Sequence, residues 1–263
     1  MTERELHLRG DGHTIPATWN TPAPAGPAVL LIHGTNGSRD DVGGLLRRLA
    51  QALAERGLGS LRIDLPGCGD SELPQTACTI TSQVADVTTA FRWMAGQPET
   101  TTAALLGFSQ GAFVTALATT AITPTALAAW SPMSRLDLDG FFAGLYEIAQ
   151  REGSAPMPPS PGFAPWRFGL EWFETAIAAR PLAAIADYTG PLFILGADQD
   201  DLTGPAQARE LFAHAGSREA QLRILAGADH LYNVLTSDQH KAEQAITLTA
   251  DWFATALLKE TTR

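Results

Sequence analysis

Gly107–Phe108–Ser109–Gln110–Gly111 sets one hydroxyl between two glycines, where the apolar run "AALLGF" ends and a second, "AFVTALA", begins. The first run reads as a buried strand and the second as a helix. A serine on so tight a strand-to-helix turn has unfavourable backbone angles, and glycines two residues to either side leave the turn room. The turn lifts the hydroxyl clear of the sheet, and the helix N-terminus favours negative charge developing beside it. These are the conditions for a nucleophile. A serine hydroxyl needs a base at neutral pH. Of six histidines, His7 and His13 fall on an opening hairpin, and His214 and His240 lie in polar stretches of helix. His33 follows an early strand and reads as a residue that braces its loop. His230 stands in "LAGADHLYN", just past the last strand, at the edge where open α/β sheets build their sites. The base in turn needs a carboxylate to orient it. "FILGADQDDLTG" offers Asp198, Asp200 and Asp201 at the end of the preceding strand, and one of them could cap the next helix. Asp200 is the first choice and Asp198 its rival.

Acyl chemistry at Ser109 would also require two backbone N–H groups aimed at one oxygen. Gln110, directly after the serine, is placed to supply one. The loop after "LLIHG" is placed to supply the other, at Thr35, with Gly34 allowing close approach. No His, Cys or Glu spacing suggests a metal, and no cofactor is expected. Cys68 and Cys78 are the only cysteines. They form neither a CxxC pair nor a disulfide framework and read as structural thiols.

The elements that would hold these groups alternate along the chain. After a hairpin and a Pro/Gly loop come the strands "AVLLIHG", "SLRIDLPG", "TAALLGFS", "ALAAWSP", "PLFILGA" and "AQLRILAGA", with amphipathic helices between most of them. Short apolar runs alternating with helices predict a mostly parallel, eight-stranded α/β sheet wrapped on both faces, with the hairpin antiparallel at one edge. Residues 134–188 break the rhythm. Their centre, "GSAPMPPSPGFAP", is too rich in proline for a helix or a central strand, and the segment is dense in aromatics, among them Phe141, Phe142, Tyr146, Phe163, Trp166, Phe168, Trp172 and Phe173. The segment reads as a cap or lid inserted into a core made of 1–133 and 189–263. Phe141, Phe142, Tyr146, Trp166 and Trp172 are candidates for the wall of a substrate pocket, with Trp130 approaching from the strand after the serine helix.

The chain has 263 residues, 45% of them apolar, which is enough for a sizeable core. A formal charge of −10 makes nucleic acid or an anionic membrane surface a poor partner. No run of 18 apolar residues occurs, so no spanning helix is expected. "MTERELHLRG" lacks the apolar core of a secretory signal, so the cytosol is the expected compartment, with the protein a monomer or homodimer.

Together, "LLIHGTNG", "RIDLPGCGDSE", "GFSQG", "GADQDDLTGP" and "GADH" resemble the oxyanion loop, the Asp-x-x-Gly-x-Gly-x-Ser segment, the nucleophile elbow, the acid loop and the histidine loop of the α/β-hydrolases, in the same order. A closer likeness is to feruloyl/cinnamoyl esterase-like and serine-aminopeptidase-like hydrolases with a small cap. Aligning "DQD" with their acid loop puts the acid at Asp200. Ala197 stands where that group has a glycine, and Gly204 where it has a proline; neither change removes a catalytic group. The resemblance implies a Ser109–His230–Asp200 triad with backbone donors at Thr35 and Gln110, acting on a small-molecule ester. Two other uses of the same residues stay open. One is a thioesterase, acyltransferase or cyclase acting on a pathway intermediate. The other is a C–C bond hydrolase or a non-hydrolytic member.

Overall fold

The computed structural model describes residues 2–258. β1 (Glu3–Arg9) and β2 (Thr14–Asn20) form the opening hairpin, and β3 (Gly26–Ile32) follows. α1 (Leu45–Glu55), β4 (Gly59–Ile63), α2 (Ile80–Ala95), β5 (Thr100–Phe108), α3 (Gln110–Ala118) and β6 (Leu127–Trp130) continue the alternation. After β6 the chain leaves the sheet through α4 (Phe141–Glu152), β7 (Ser154–Pro156), β8 (Arg167–Gly169), α5 (Leu170–Ala178) and α6 (Pro181–Asp187). It returns as β9 (Leu192–Ala197), α7 (Gly204–Ala213), β10 (Ala220–Leu225) and α8 (His240–Leu258).

Eight strands make one sheet in the order β1-β2-β4-β3-β5-β6-β9-β10. The pairs from β4 to β10 are parallel, and β2 is antiparallel to both β1 and β4. The central parallel strands β3 and β9 are apolar because both faces are covered: all seven residues of β3 and all six of β9 are buried. Alternate side chains serve opposite layers. Ala28, Leu30, Leu105, Leu127 and Ile194 pack under α2, α3, α6 and α7, while Val29, Leu31, Leu106, Trp130 and Leu195 pack under α1 and α8. Each fully buried leucine is worth roughly 1.5–3 kcal/mol relative to exposure. Among the described residues no helix is long and apolar enough to cross a membrane.

The excursion between β6 and β9 has its own small core. Phe168 and Trp172 lie 4.6 Å apart by ring centroid, and Trp172 and Phe173 4.9 Å. The proline-rich stretch closes the two-stranded antiparallel ribbon β7–β8, a setting that tolerates proline as a sheet interior does not. That ribbon is absent from the sequence reading, because three-residue strands carry too little pattern to detect. α6 at the end of the excursion packs on α3 in the main core, with Ile185 fully buried. Hydrogen bonds tie the excursion to the loops after β3 and β4 and to the start of α2. Asn36 Nδ2 donates to Ala164 O at 2.7 Å. Gln75 donates through Nε2 to Pro165 O at 3.0 Å and accepts the Arg167 N–H at 2.9 Å. The Ile80 N–H donates to Thr175 Oγ1 at 3.1 Å.

Candidate active site

Ser109 occupies the turn between β5 and α3 with φ 55° and ψ −119°, a left-handed conformation that is costly for a residue with a side chain. Neighbouring backbone over-determines it. The Ser109 N–H donates to Trp130 O at 2.8 Å, and its carbonyl accepts the Ala112 N–H at 3.0 Å and the Met133 N–H at 3.2 Å. The two flanking glycines are sterically required. A Cβ on Gly107 would lie 2.3 Å from Gly111 O, and one on Gly111 would lie 2.5 Å from His33 O.

The loops after β9 and β10 bring the other groups to this serine. His230 Nε2 is 3.0 Å from Ser109 Oγ, and His230 Nδ1 is 2.9 Å from Asp200 Oδ2. A carboxylate can only accept, so Nδ1 carries the proton and Nε2 is left to accept the serine O–H. Asp200 Oδ2 also accepts the Thr203 hydroxyl at 2.7 Å, and Oδ1 accepts the Leu202 and Thr203 N–H groups at 2.9 and 3.0 Å. Burial works to raise the Asp200 carboxyl. The His230 hydrogen bond and charge, joined by Thr203, outweigh it and hold the carboxyl well below the usual carboxylate range. Asp198 is exposed and turned elsewhere, its Oδ1 accepting the Gly227 N–H at 2.7 Å. The His230 ring packs on Phe108 with centroids 5.4 Å apart.

Thr35 sits beside Ser109 in the same cavity. Among the described residues neither the Thr35 nor the Gln110 N–H donates to a protein acceptor. The loop approaches closely because Gly34 has no side chain: a Cβ there would stand 3.1 Å from Ser109 Cβ. His33, fully buried, accepts the Leu65 N–H at Nε2 (3.1 Å) and so donates from Nδ1 to Gly34 O at 2.7 Å. It braces the loop and does not line the cavity.

The cavity over Ser109 encloses about 500 Å³, within the range of small-molecule sites. Phe141 and Phe142 line it, as the sequence suggests, together with Met133, Met157, Phe163 and Phe168. Four other candidates do not. Trp130, the last residue of β6, points to the opposite layer, where Nε1 donates to Thr249 Oγ1 on α8 at 2.7 Å; strand alternation turns it away from the serine. Trp166 and Trp172 are buried against Phe168 inside the excursion. Tyr146 rests on Phe173 at 5.3 Å. Large rings in a small inserted unit are needed first for its own core.

Three residues near the site are absent from the sequence reading. Asp41 lines the cavity, has φ 56°, and accepts its own loop's Val42 N–H and, at 3.3 Å, the Gly34 N–H. Burial pushes its carboxyl above the usual range. Tyr232 donates to Leu195 O and accepts the Ser131 N–H, both at 2.9 Å, beneath the histidine loop. Gln83 hydrogen-bonds the Gln110 side chain. A signal for Gln83 does exist, since it interrupts the apolar stripe Ile80–Val87–Ala90–Phe91–Met94 of α2.

Residues 29–244 match the model of the Alpha/beta hydrolase family. No curated protein matches the chain in sequence. Among solved structures, Est1E from Butyrivibrio proteoclasticus with ferulic acid bound superposes over 95% of this chain and 98% of its own, with TM-score 0.77 and 19% identity. The alpha/beta hydrolase GrgF from Penicillium sp. sh18 covers 98% of this chain and 100% of its own, with TM-score 0.80 and 19% identity. The esterase domain of a Rhodothermus marinus protein covers 97% and 99%, with TM-score 0.72 and 19% identity. At such identities the likeness is one of fold.

Proposed function

This chain belongs to the Alpha/beta hydrolase family, and on that premise we propose that it cleaves a small carboxylic ester through an acyl-enzyme on Ser109. The observation that carries the reading is the hydrogen-bonded line from Ser109 Oγ through His230 to Asp200, at 3.0 and 2.9 Å, at the floor of a cavity with a largely apolar wall. His230 Nε2 takes the serine proton as Oγ attacks the ester carbonyl, and Asp200 stabilises the imidazolium that forms. The carbonyl oxygen gains negative charge, which the Thr35 and Gln110 N–H groups receive. His230 then returns the proton to the leaving alcohol. A water activated by the same nitrogen releases the acid and restores the serine.

The substrate class follows from the cavity wall. Phe141, Phe142, Phe168, Met133 and Met157 favour a compact apolar or aromatic group, and residues 134–188 serve as the lid that presents most of them. Asp137 and Asp201 also border the cavity. Arg135 borders it too, paired with Asp137 and Glu210, so the preference for ester hydrolysis over the thioesterase or acyltransferase reading rests on the apolar wall.

The test is a fluorophosphonate probe followed by peptide mass mapping, run beside a panel of p-nitrophenyl esters. The expected result is one adduct, on Ser109, with turnover of short-chain and aryl esters that Ser109→Ala abolishes. Folded protein that takes no adduct at Ser109 refutes the proposal.

A further inference from the structure

Thr35 and Gln110 are joined to each other through their side chains. The Thr35 hydroxyl donates to Gln110 Oε1 at 2.7 Å. Gln110 Nε2 donates to Gln83 Oε1 at 2.7 Å, and Gln83 Nε2 donates to Cys78 Sγ at 3.3 Å. Gln83 is 0% exposed and Gln110 2%. A carboxamide on the apolar face of a helix costs free energy unless both its ends are paired. Here both ends are paired, and the line they complete begins at one expected oxyanion donor and passes through the other. All three bonds run in one direction, so each polarises the next.

We infer that Gln83 is a positioning residue that sets the distance between the two oxyanion N–H groups, an inference that rests on the serine-hydrolase reading above. Gln110 is fixed to the sheet by the turn at Ser109, but Thr35 belongs to a separate loop, after β3. The side-chain link is what references that loop to the serine turn. Gln83, anchored in the first turn of α2, holds the Gln110 carboxamide with its oxygen facing Thr35. Two donors serve one oxyanion only if their separation is held, and the charge on that oxygen is largest in the transition state. Loss of the link therefore lowers kcat and leaves ground-state binding nearly unchanged.

Three variants test this with p-nitrophenyl acetate as substrate. Gln83→Met keeps length and apolar packing and deletes both of its hydrogen bonds. Thr35→Val cuts the first link and leaves Gln83 untouched. Gln83→Glu keeps an acceptor for Gln110 Nε2. Removing an entire oxyanion donor typically costs about 10²–10³ in kcat, so loosening one is expected to cost about tenfold in each of the first two variants, with KM changed less than about twofold. The double variant is expected to fall no further than the weaker single, because both changes cut one chain. Gln83→Glu is expected to recover to within about threefold of wild type. Affinity for phenylboronic acid, which forms a tetrahedral adduct on a serine, should fall in step with kcat/KM. Folded Gln83→Met with wild-type kcat overturns the inference, as do additive losses in the double variant. If Gln83→Met fails to fold, Thr35→Val decides alone, and its wild-type kcat has the same consequence. A wild-type protein that neither turns over esters nor takes a phosphonate at Ser109 is a separate outcome: it removes the serine-hydrolase reading and the inference with it.

Discussion

Asp200→Asn is expected to cost about four orders of magnitude in kcat while leaving the fold intact, and the contacts of the carboxylate say why. Two backbone N–H groups, from Leu202 and Thr203, converge on Oδ1 at 2.9 and 3.0 Å. An asparagine must keep its oxygen there, since an amide NH₂ would face two donors. The NH₂ then takes the place of Oδ2 and points at His230 Nδ1, 2.9 Å away in the native site. The ring must answer with a lone pair at Nδ1, so its proton moves to Nε2. Nε2–H now faces Ser109 Oγ and cannot accept the hydroxyl proton. This wrong-tautomer state costs about 10⁴ in kcat in a serine–histidine–aspartate triad, or about 5 kcal/mol of transition-state stabilisation. Asp198→Asn is the control. Its acceptor for the Gly227 N–H survives in the amide, and an exposed substitution changes energies by no more than about 0.5 kcal/mol, or two- to threefold. Steady-state hydrolysis of p-nitrophenyl acetate, with thermal melts of both variants, makes the measurement. An Asp200→Asn protein that keeps more than about a tenth of wild-type kcat refutes the reasoning. So does an Asp198→Asn protein that loses the larger share.

Two further substitutions probe the frame around the triad. Burial raises the Asp41 carboxyl, so the folded protein holds that proton to higher pH than the unfolded chain does, and stability falls as pH rises from the ordinary carboxylate range through the raised value. Asp41→Asn removes that slope: the Tm of the variant relative to wild type is expected to improve as pH rises above the ordinary carboxylate range, whatever the cost of the amide facing the Gly34 N–H, and fluorimetric melts that show the variant faring relatively better on the acid side overturn the assignment. A Cβ on Gly111 would meet His33 O at 2.5 Å and Ile32 O at 2.6 Å, both backbone, so Gly111→Ala is expected to lower Tm by about 10 °C, roughly 3 kcal/mol, or to prevent folding. Gly140→Ala, with open space around it, should melt like wild type; equal melts for the two variants would show that the close approach to β3 is not rigid.

Much of this architecture could be read from the order of apolar runs and helical patterns along the chain. β3, β9 and residues 103–108 of β5 are apolar without alternation, as strands of a sheet covered on both faces are. Ser109 and His230 followed from that as residues just past strand ends, after β5 and β10, while the choice of Asp200 over Asp198 in the loop after β9 came from the resemblance to the acid loop. What stayed hidden is of two kinds. The facing of a ring depends on register or on irregular packing: Trp130 is one residue from pointing the other way, and Trp166 and Trp172 sit in an inserted unit with no period to read. Support of a loop from a distant element is the other kind. Asp41 reaches the cavity through a left-handed backbone that a "DVGG" run only hints at, and the partner of Gln83 is 27 residues away.

The contact between Asn36 and Ala164 limits how far this protein can be treated as separable modules. Asn36 follows Thr35 directly, and its amide holds the excursion by a 2.7 Å bond, with Gln75 gripping residues on either side of Trp166. An excursion grafted from another hydrolase would arrive without the carbonyl that Asn36 grips, unless residues 164–167 were kept. Selectivity and rate would then drift together. For anyone redesigning this protein, the joint lies inside the excursion, before residue 164, and not at its sequence boundaries.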